Sequence, residues 1–155
     1  MMAAGPDYSE IEIGNRLAYA ATPGKTGLYF QQLRKQWLPY YNEELRIQRF
    51  SMAKSACEYD LDHIPFFIKR ELYFQAFNRL YKAFQEFLQT LFIAYRTYPV
   101  AYNKWIKEQI ETLLQLPDLY MQLPAVLSIN NIQGNDINEK AKVLQNLLDA
   151  YCKIQ

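Results

Sequence analysis

The chain has little histidine or cysteine, almost no net charge and no long apolar run, and each shortage excludes something. His63 is the sole imidazole among 155 residues, so any His-based acid–base mechanism would have to run through that one position. Cys57 and Cys152 lie far apart and form no C-x-x-C. A disulfide between them is the alternative to the expected state, two reduced, partly buried thiols in a cytosolic protein. Lysine plus arginine number 17 against 16 aspartate plus glutamate, a net charge of +1. That balance supplies no general electrostatic reason to hold nucleic acid or an anionic membrane surface. The opening stretch "MMAAGPDYSEIEIGNR" lacks the basic segment and apolar run of a secretory signal. "TLFIAY" at 90–95, the longest apolar patch, falls far short of the roughly 20 residues that span a bilayer. The expected location is cytoplasmic.

What is present is apolar and aromatic. Half the residues are apolar and 15% aromatic, with 13 Tyr and 9 Phe, a composition foreign to disordered chains. The length suits one domain, 1–155, read as an arm or loop over 1–26 and a helical bundle over 27–155.

From Phe66 to Tyr98 there is no proline or glycine. Glu71, Gln75, Asn78, Lys82, Gln85, Glu86 and Gln89 recur at three- and four-residue steps, which predicts one solvated stripe along a helix. The rest of its circumference is apolar, from Leu72 and Tyr73 to Ala94 and Tyr95. A helix over 66–98 would be about 50 Å long and needs at least two neighbours to cover it. Upstream, Leu28, Leu33, Trp37, Tyr41, Leu45, Phe50 and Met52 anchor a helical stretch over 27–59, with a kink expected near Pro39. "DLDHIP" at 60–65 reads as the connection, with Asp62 as cap and Pro65 at the start of the long helix. Pro99 is expected to end that helix. A third helix follows over 100–116 with Tyr102, Trp105, Ile106, Ile110, Leu113 and Leu114 inward. Short helical turns are expected between Pro117 and Pro124, "NNIQGN" reads as a loop, and a last helix opens with a capping box at Asp136 and Glu139. Ile11 and Ile13 around Gly14 allow a short strand in the arm. The fold class is all-α: a single bundle of about five helices around one long central helix, with an N-terminal arm.

Motifs with self-contained chemistry are missing. "TPGKTG" carries the tail of a phosphate-binding loop, but Tyr19 stands where the first glycine belongs and no parallel sheet is expected. Asp60, Asp62 and His63 offer two carboxylates and an imidazole, a weak candidate for a divalent cation; a capped, solvated connection explains them without metal. No cofactor is implied. The remaining signal is "YRTYPVAYNKW" at 95–105, where Arg96 and Lys104 sit among tyrosines. Pro99 should make a corner, with Trp105 and some of the tyrosines locking it in the core. The hydroxyls of Tyr98 and Tyr102 are then read as walls of a polar cleft beside the two cations. Aromatics interleaved with basic residues also suit single-stranded nucleic acid, which the neutral charge weighs against.

"LAYAATPG", "LYFQQLRKQW" at 28–37, "LFIAYRTYPVAYNKW" at 91–105 and "LLQLPDLYMQLPAVL" together resemble a helical C-terminal domain. That domain, of unknown function, follows the catalytic domain in a family of nucleotidyltransferase-like proteins. The most specific part is Tyr98, Pro99, Tyr102, Lys104 and Trp105 after Arg96, and the resemblance covers about residues 16–127. It implies a non-catalytic helical module that binds an acceptor substrate or a catalytic nucleotidyltransferase partner. The Gly-Ser turn and D-x-D pair that hold Mg²⁺ and nucleotide in such proteins have no counterpart before residue 16, and "DLDH" lies inside the helical part. Two other readings stand beside it: a helical protein–protein interaction module, with homo-oligomerisation included, and an enzyme with an unrecognised metal site.

Overall fold

A computed structural model of the chain describes residues 42–154 and Gln32. The strand expected in the arm, "TPGKTG", and the first part of the 27–59 stretch with Trp37 and Pro39 lie outside the described residues. What is described is all-α, as five helices: α1 Glu43–Lys69, α2 Tyr73–Ala94, α3 Ile106–Glu108 running into a π turn at Gln109–Leu113, α4 Pro117–Val126 and α5 Asp136–Tyr151. Among the described residues there is no strand.

Asn42 starts α1. Its side chain accepts from Leu45 N at 3.1 Å, and Glu43 and Glu44 place negative charge in the first turn, where the helix dipole favours it. The buried positions Phe50, Ala53, Cys57, Asp60, Ile64 and Phe67 then recur every three or four residues. Ala76, Leu80, Ala83 and Phe87 answer with the same spacing on α2. The connection is three residues, so the two helices run antiparallel and bury one seam against each other. Three alanines on that seam, Ala53, Ala76 and Ala83, are fully buried and let the backbones approach. The approach is close enough that Cys57 Sγ donates to the Ala83 carbonyl at 3.3 Å. Helix α5 packs on both α1 and α2 through Ile137, Ala141, Leu144 and Leu148, all buried.

The central rod is shorter than its pattern. Residues 66–98 do not form one helix: α1 runs straight through 60–65 to Lys69, and α2 begins only at Tyr73. Pro65 lies inside α1 rather than at a start, and Asp62 is not a cap. The corner is a Schellman motif, with Leu72 N bonding Phe67 O at 2.9 Å and Glu71 N bonding Ile68 O at 3.0 Å. That motif needs a left-handed residue, usually glycine. Here Glu71 takes it, at φ 58°. The far end repeats the device. Thr97 N reaches Phe92 O and Arg96 N reaches Ile93 O, with Arg96 at φ 50°, so α2 stops at Ala94, before Pro99 can act.

The predicted third helix is also cut down. Residues 100–105 are irregular, and only Ile106–Leu113 is helical. The solvated stripe is half submerged: Gln75 and Asn78 are exposed, but Glu86 and Gln89 are buried among apolar residues. At α5, Asp136 does not cap its own helix. Its Oδ2 accepts from Asn130 N and Asn131 N at 2.9 Å each, clamping the preceding loop onto the helix start.

Candidate functional site

The corner after α2 is built from both ends of the α1–α2 pair. Glu43, the first residue of α1, accepts from Arg46 Nη2 at 2.6 Å and Nε at 3.0 Å, and from Arg96 Nη2 at 3.0 and 3.1 Å. The Arg46 hydrogen bond, helped by Arg96, pulls the Glu43 carboxyl down to about 2. Arg46 is itself fully buried. Its Nη1 donates to Ile93 O at 3.1 Å, placing a cation against the carbonyl end of α2, where the helix dipole is negative. Arg96, predicted to face a cleft, is thus half-exposed and tied to Glu43.

Beyond this hinge the predicted site residues separate. Tyr98 and Tyr102 are 7% and 9% exposed. The ring of Tyr102 meets Phe92 edge to face at 6.4 Å, so both tyrosines belong to the core rather than to an open polar wall. Lys104 is exposed. The larger correction is Trp105: expected in the core, it is 61% exposed. It also sits in left-handed backbone, φ 56°, an unusual state for a bulky residue. The local fold explains both. Gln109, buried in the first π turn, accepts from Val100 N at 2.6 Å through Oε1. Its Nε2 donates to Ala101 O at 2.8 Å and Lys104 O at 2.9 Å. One amide therefore folds residues 100–104 into a tight loop, and the chain can leave it for α3 only by turning Trp105 outward. Sequence reasoning missed Gln109, and one glutamine in a helical run carries no signal that could have found it.

The other candidate does not assemble. On continuous helix Asp60 and Asp62 point to different sides, Asp60 buried and Asp62 exposed. Asp60 is engaged by Arg79 at 2.5 Å and Lys82 at 3.7 Å. His63 Nδ1 lies 2.7 Å from Tyr59 O, with its ring against Tyr59 at 4.2 Å. Among the described residues, no three His, Cys, Asp or Glu side chains are grouped to hold a metal. Across the seam from Asp60 stands Glu86, whose carboxyl is pushed up to about 8 by burial and by a hydrogen bond with Asp60. Cys57 and Cys152 are both free and buried; burial pushes each thiol up, which disfavours the nucleophilic thiolate. A cavity of about 380 Å³ between α1 and the start of α5 is lined by Asp62, Lys142 and the amides of Asn135, Asn138 and Gln145. Among the described residues, no helix is long and apolar enough to cross a membrane.

The chain matches no family model, no curated protein and no solved structure. The geometry therefore stands by itself. Among the described residues it offers one place where a large aromatic ring and a cation are held outward by a braced loop: Lys104 and Trp105, with half-exposed Arg96 nearby in sequence.

Proposed function

We propose that this chain is a non-catalytic helical accessory domain of nucleotidyltransferase type, whose 95–105 corner binds an acceptor substrate or the catalytic partner. The observation that carries the reading is Trp105. An indole mostly in water, in a strained backbone state maintained by three hydrogen bonds from a buried glutamine, is the kind of outlier that concentrates at binding sites. Tryptophan is also among the residues that dominate recognition energy when a partner covers them. Lys104 adds the charge that would orient an acidic group beside the ring. Tyr98 and Tyr102 contribute by fixing the floor of the corner, and Arg96 by fixing its edge. The domain supplies binding and positioning, and bond making falls to the catalytic partner.

The test is photo-crosslinking from a benzoylphenylalanine introduced in place of Trp105 in intact cells. Capture of a nucleotidyltransferase catalytic domain, abolished by Lys104→Ala at unchanged melting temperature, is the expected result. A chain that loses its fold on Lys104→Ala, or that captures nothing from position 105, contradicts the assignment.

A second reading is favoured by a different observation. Tyr59 and Phe66 on α1 are more than half exposed, with Arg70 lying over the Phe66 ring at 5.3 Å. This strip supports an assembly module, with homo-oligomerisation as its simplest form. Light scattering that finds only monomer removes the homo-oligomeric form.

A further inference from the structure

The α1–α2 seam contains a pair of facing carboxyl groups that the binding corner does not use. Asp60 is 2% exposed and Glu86 4%. Two cations, Arg79 and Lys82, both reach Asp60. Glu86 Oε2 is sealed from solvent and has no hydrogen-bond partner among the described residues, so an ionised Glu86 would leave a buried anion poorly compensated beside a second one. Thiols stand near the pair, and the His63 ring lies against Tyr59 at 4.2 Å. Cys57 comes from α1, close enough to feel the charge of Glu86, and Cys152 from the end of α5, with Sγ 3.9 Å from Phe87 O.

We infer that Asp60 and Glu86 share one proton, and that this proton latches Arg79 in place beneath the exposed aromatic strip of α1. Glu86 carries the proton and donates it to the Asp60 carboxylate, which leaves Asp60 as the single anion that Arg79 must neutralise. Arg79 is what links this buried site to the surface. Its guanidinium lies under two rings of α1, 5.9 Å from the centroid of Tyr59 and 5.5 Å from that of Phe67. Removing the proton puts two negative charges in the seam. Arg79 and Lys82 then have two carboxylates to satisfy, Arg79 shifts toward Glu86, and Tyr59 and Phe67 lose the cation they rest on. The protonated seam is the closed one, and alkaline conditions loosen it.

The experiment is a carbon-detected NMR titration of the glutamate side-chain carboxyls between pH 4 and 9, following the ring protons of Phe67 and Tyr59 in the same samples. One glutamate should titrate near pH 8 and be missing from the spectrum of Glu86→Gln, which is isosteric with the protonated acid. The Phe67 and Tyr59 signals should show a step at that same midpoint in the wild-type chain, and the variant should lack that step. If every glutamate titrates in the ordinary range, the shared proton does not exist. If one titrates near pH 8 while the rings show no step there, the link through Arg79 is wrong. The wild-type titration decides both points even should Glu86→Gln fail to fold.

Discussion

Helix α2 has two halves that would look alike on a helical wheel and do different work. From Tyr73 to Lys82 it is half wet: Ala76 and Leu80 face the seam, while Phe74, 81% exposed, faces solvent. From Ala83 to Ile93 every residue but Gln85 is buried, including Glu86, Gln89 and Thr90. The difference shows in how polar groups are handled. In the wet half Gln75 and Asn78 are left to water, while Arg79 and Lys82 at its inner edge reach across to Asp60. In the covered half each needs an internal arrangement: Thr90 Oγ1 donates to Glu86 O at 2.7 Å, and Glu86 meets Asp60. The covered half holds the fold together, and the wet half tolerates change.

That contrast can be broken most directly with one substitution in each half. Phe87 is fully buried, so Phe87→Ala removes a ring and leaves a cavity, and should lower unfolding free energy by about 3–5 kcal/mol. Phe74→Ala, the same chemical change, should fall within about 0.5 kcal/mol of wild type. Paired urea denaturations measure both. Equal losses would mean that a partner surface, or another part of the chain, covers Phe74 in solution.

How much of this was legible beforehand follows the same division. The all-α class was readable because apolar residues recur at helical spacing. The break at 70–72 was not, because the usual mark of a helix end is glycine, and Glu71 and Arg96 occupy the left-handed positions instead. "DLDHIP" misled for the opposite reason: Asp62 and Pro65 look like a cap and a helix start, yet burial of Leu61, Ile64 and Phe67 carries α1 through the proline. A polar stripe records spacing, not exposure, so Glu86 and Gln89 read as wet. At the corner, Lys104, expected to face a cleft, lies exposed. Trp105 was expected inward, since an indole at helical spacing is ordinarily core. What turns it outward is a set of side-chain to backbone bonds from Gln109, and no local pattern encodes those.

The wet and covered halves should also part company in acid. Glu43 secures the far end of α2, and its carboxyl is held at about 2, chiefly by the Arg46 hydrogen bond. The folded value lies below the ordinary 4.5, so the folded state binds fewer protons than the unfolded chain. The resulting stability is in force above about pH 4.5 and drains away as pH falls toward 2. Glu43→Gln should therefore flatten the acid limb of a melting-temperature profile between those values, and protection of the amides near Arg96 in hydrogen exchange should drop first. An unchanged acid limb would assign acid sensitivity to another carboxylate.

The smallest effect expected is also the most diagnostic of how the corners are made. Glu71 and Arg96 occupy equivalent left-handed positions at the two ends of α2, and a side chain there costs about 1 kcal/mol relative to glycine. Glu71 is exposed, and it serves the corner through its backbone bond to Ile68 O. Glu71→Gly should then stabilise the protein by roughly 0.5–1 kcal/mol, the relieved strain outweighing the added freedom of the unfolded chain. Arg96→Gly relieves the same strain but removes the bridge to Glu43, so its gain should be smaller or absent. The difference between the two, read from chemical denaturation, isolates what the Arg96 bridge contributes. Should both glycines destabilise equally, the left-handed turns are being held by something other than their backbone bonds, and the likeness between the two ends of α2 fails.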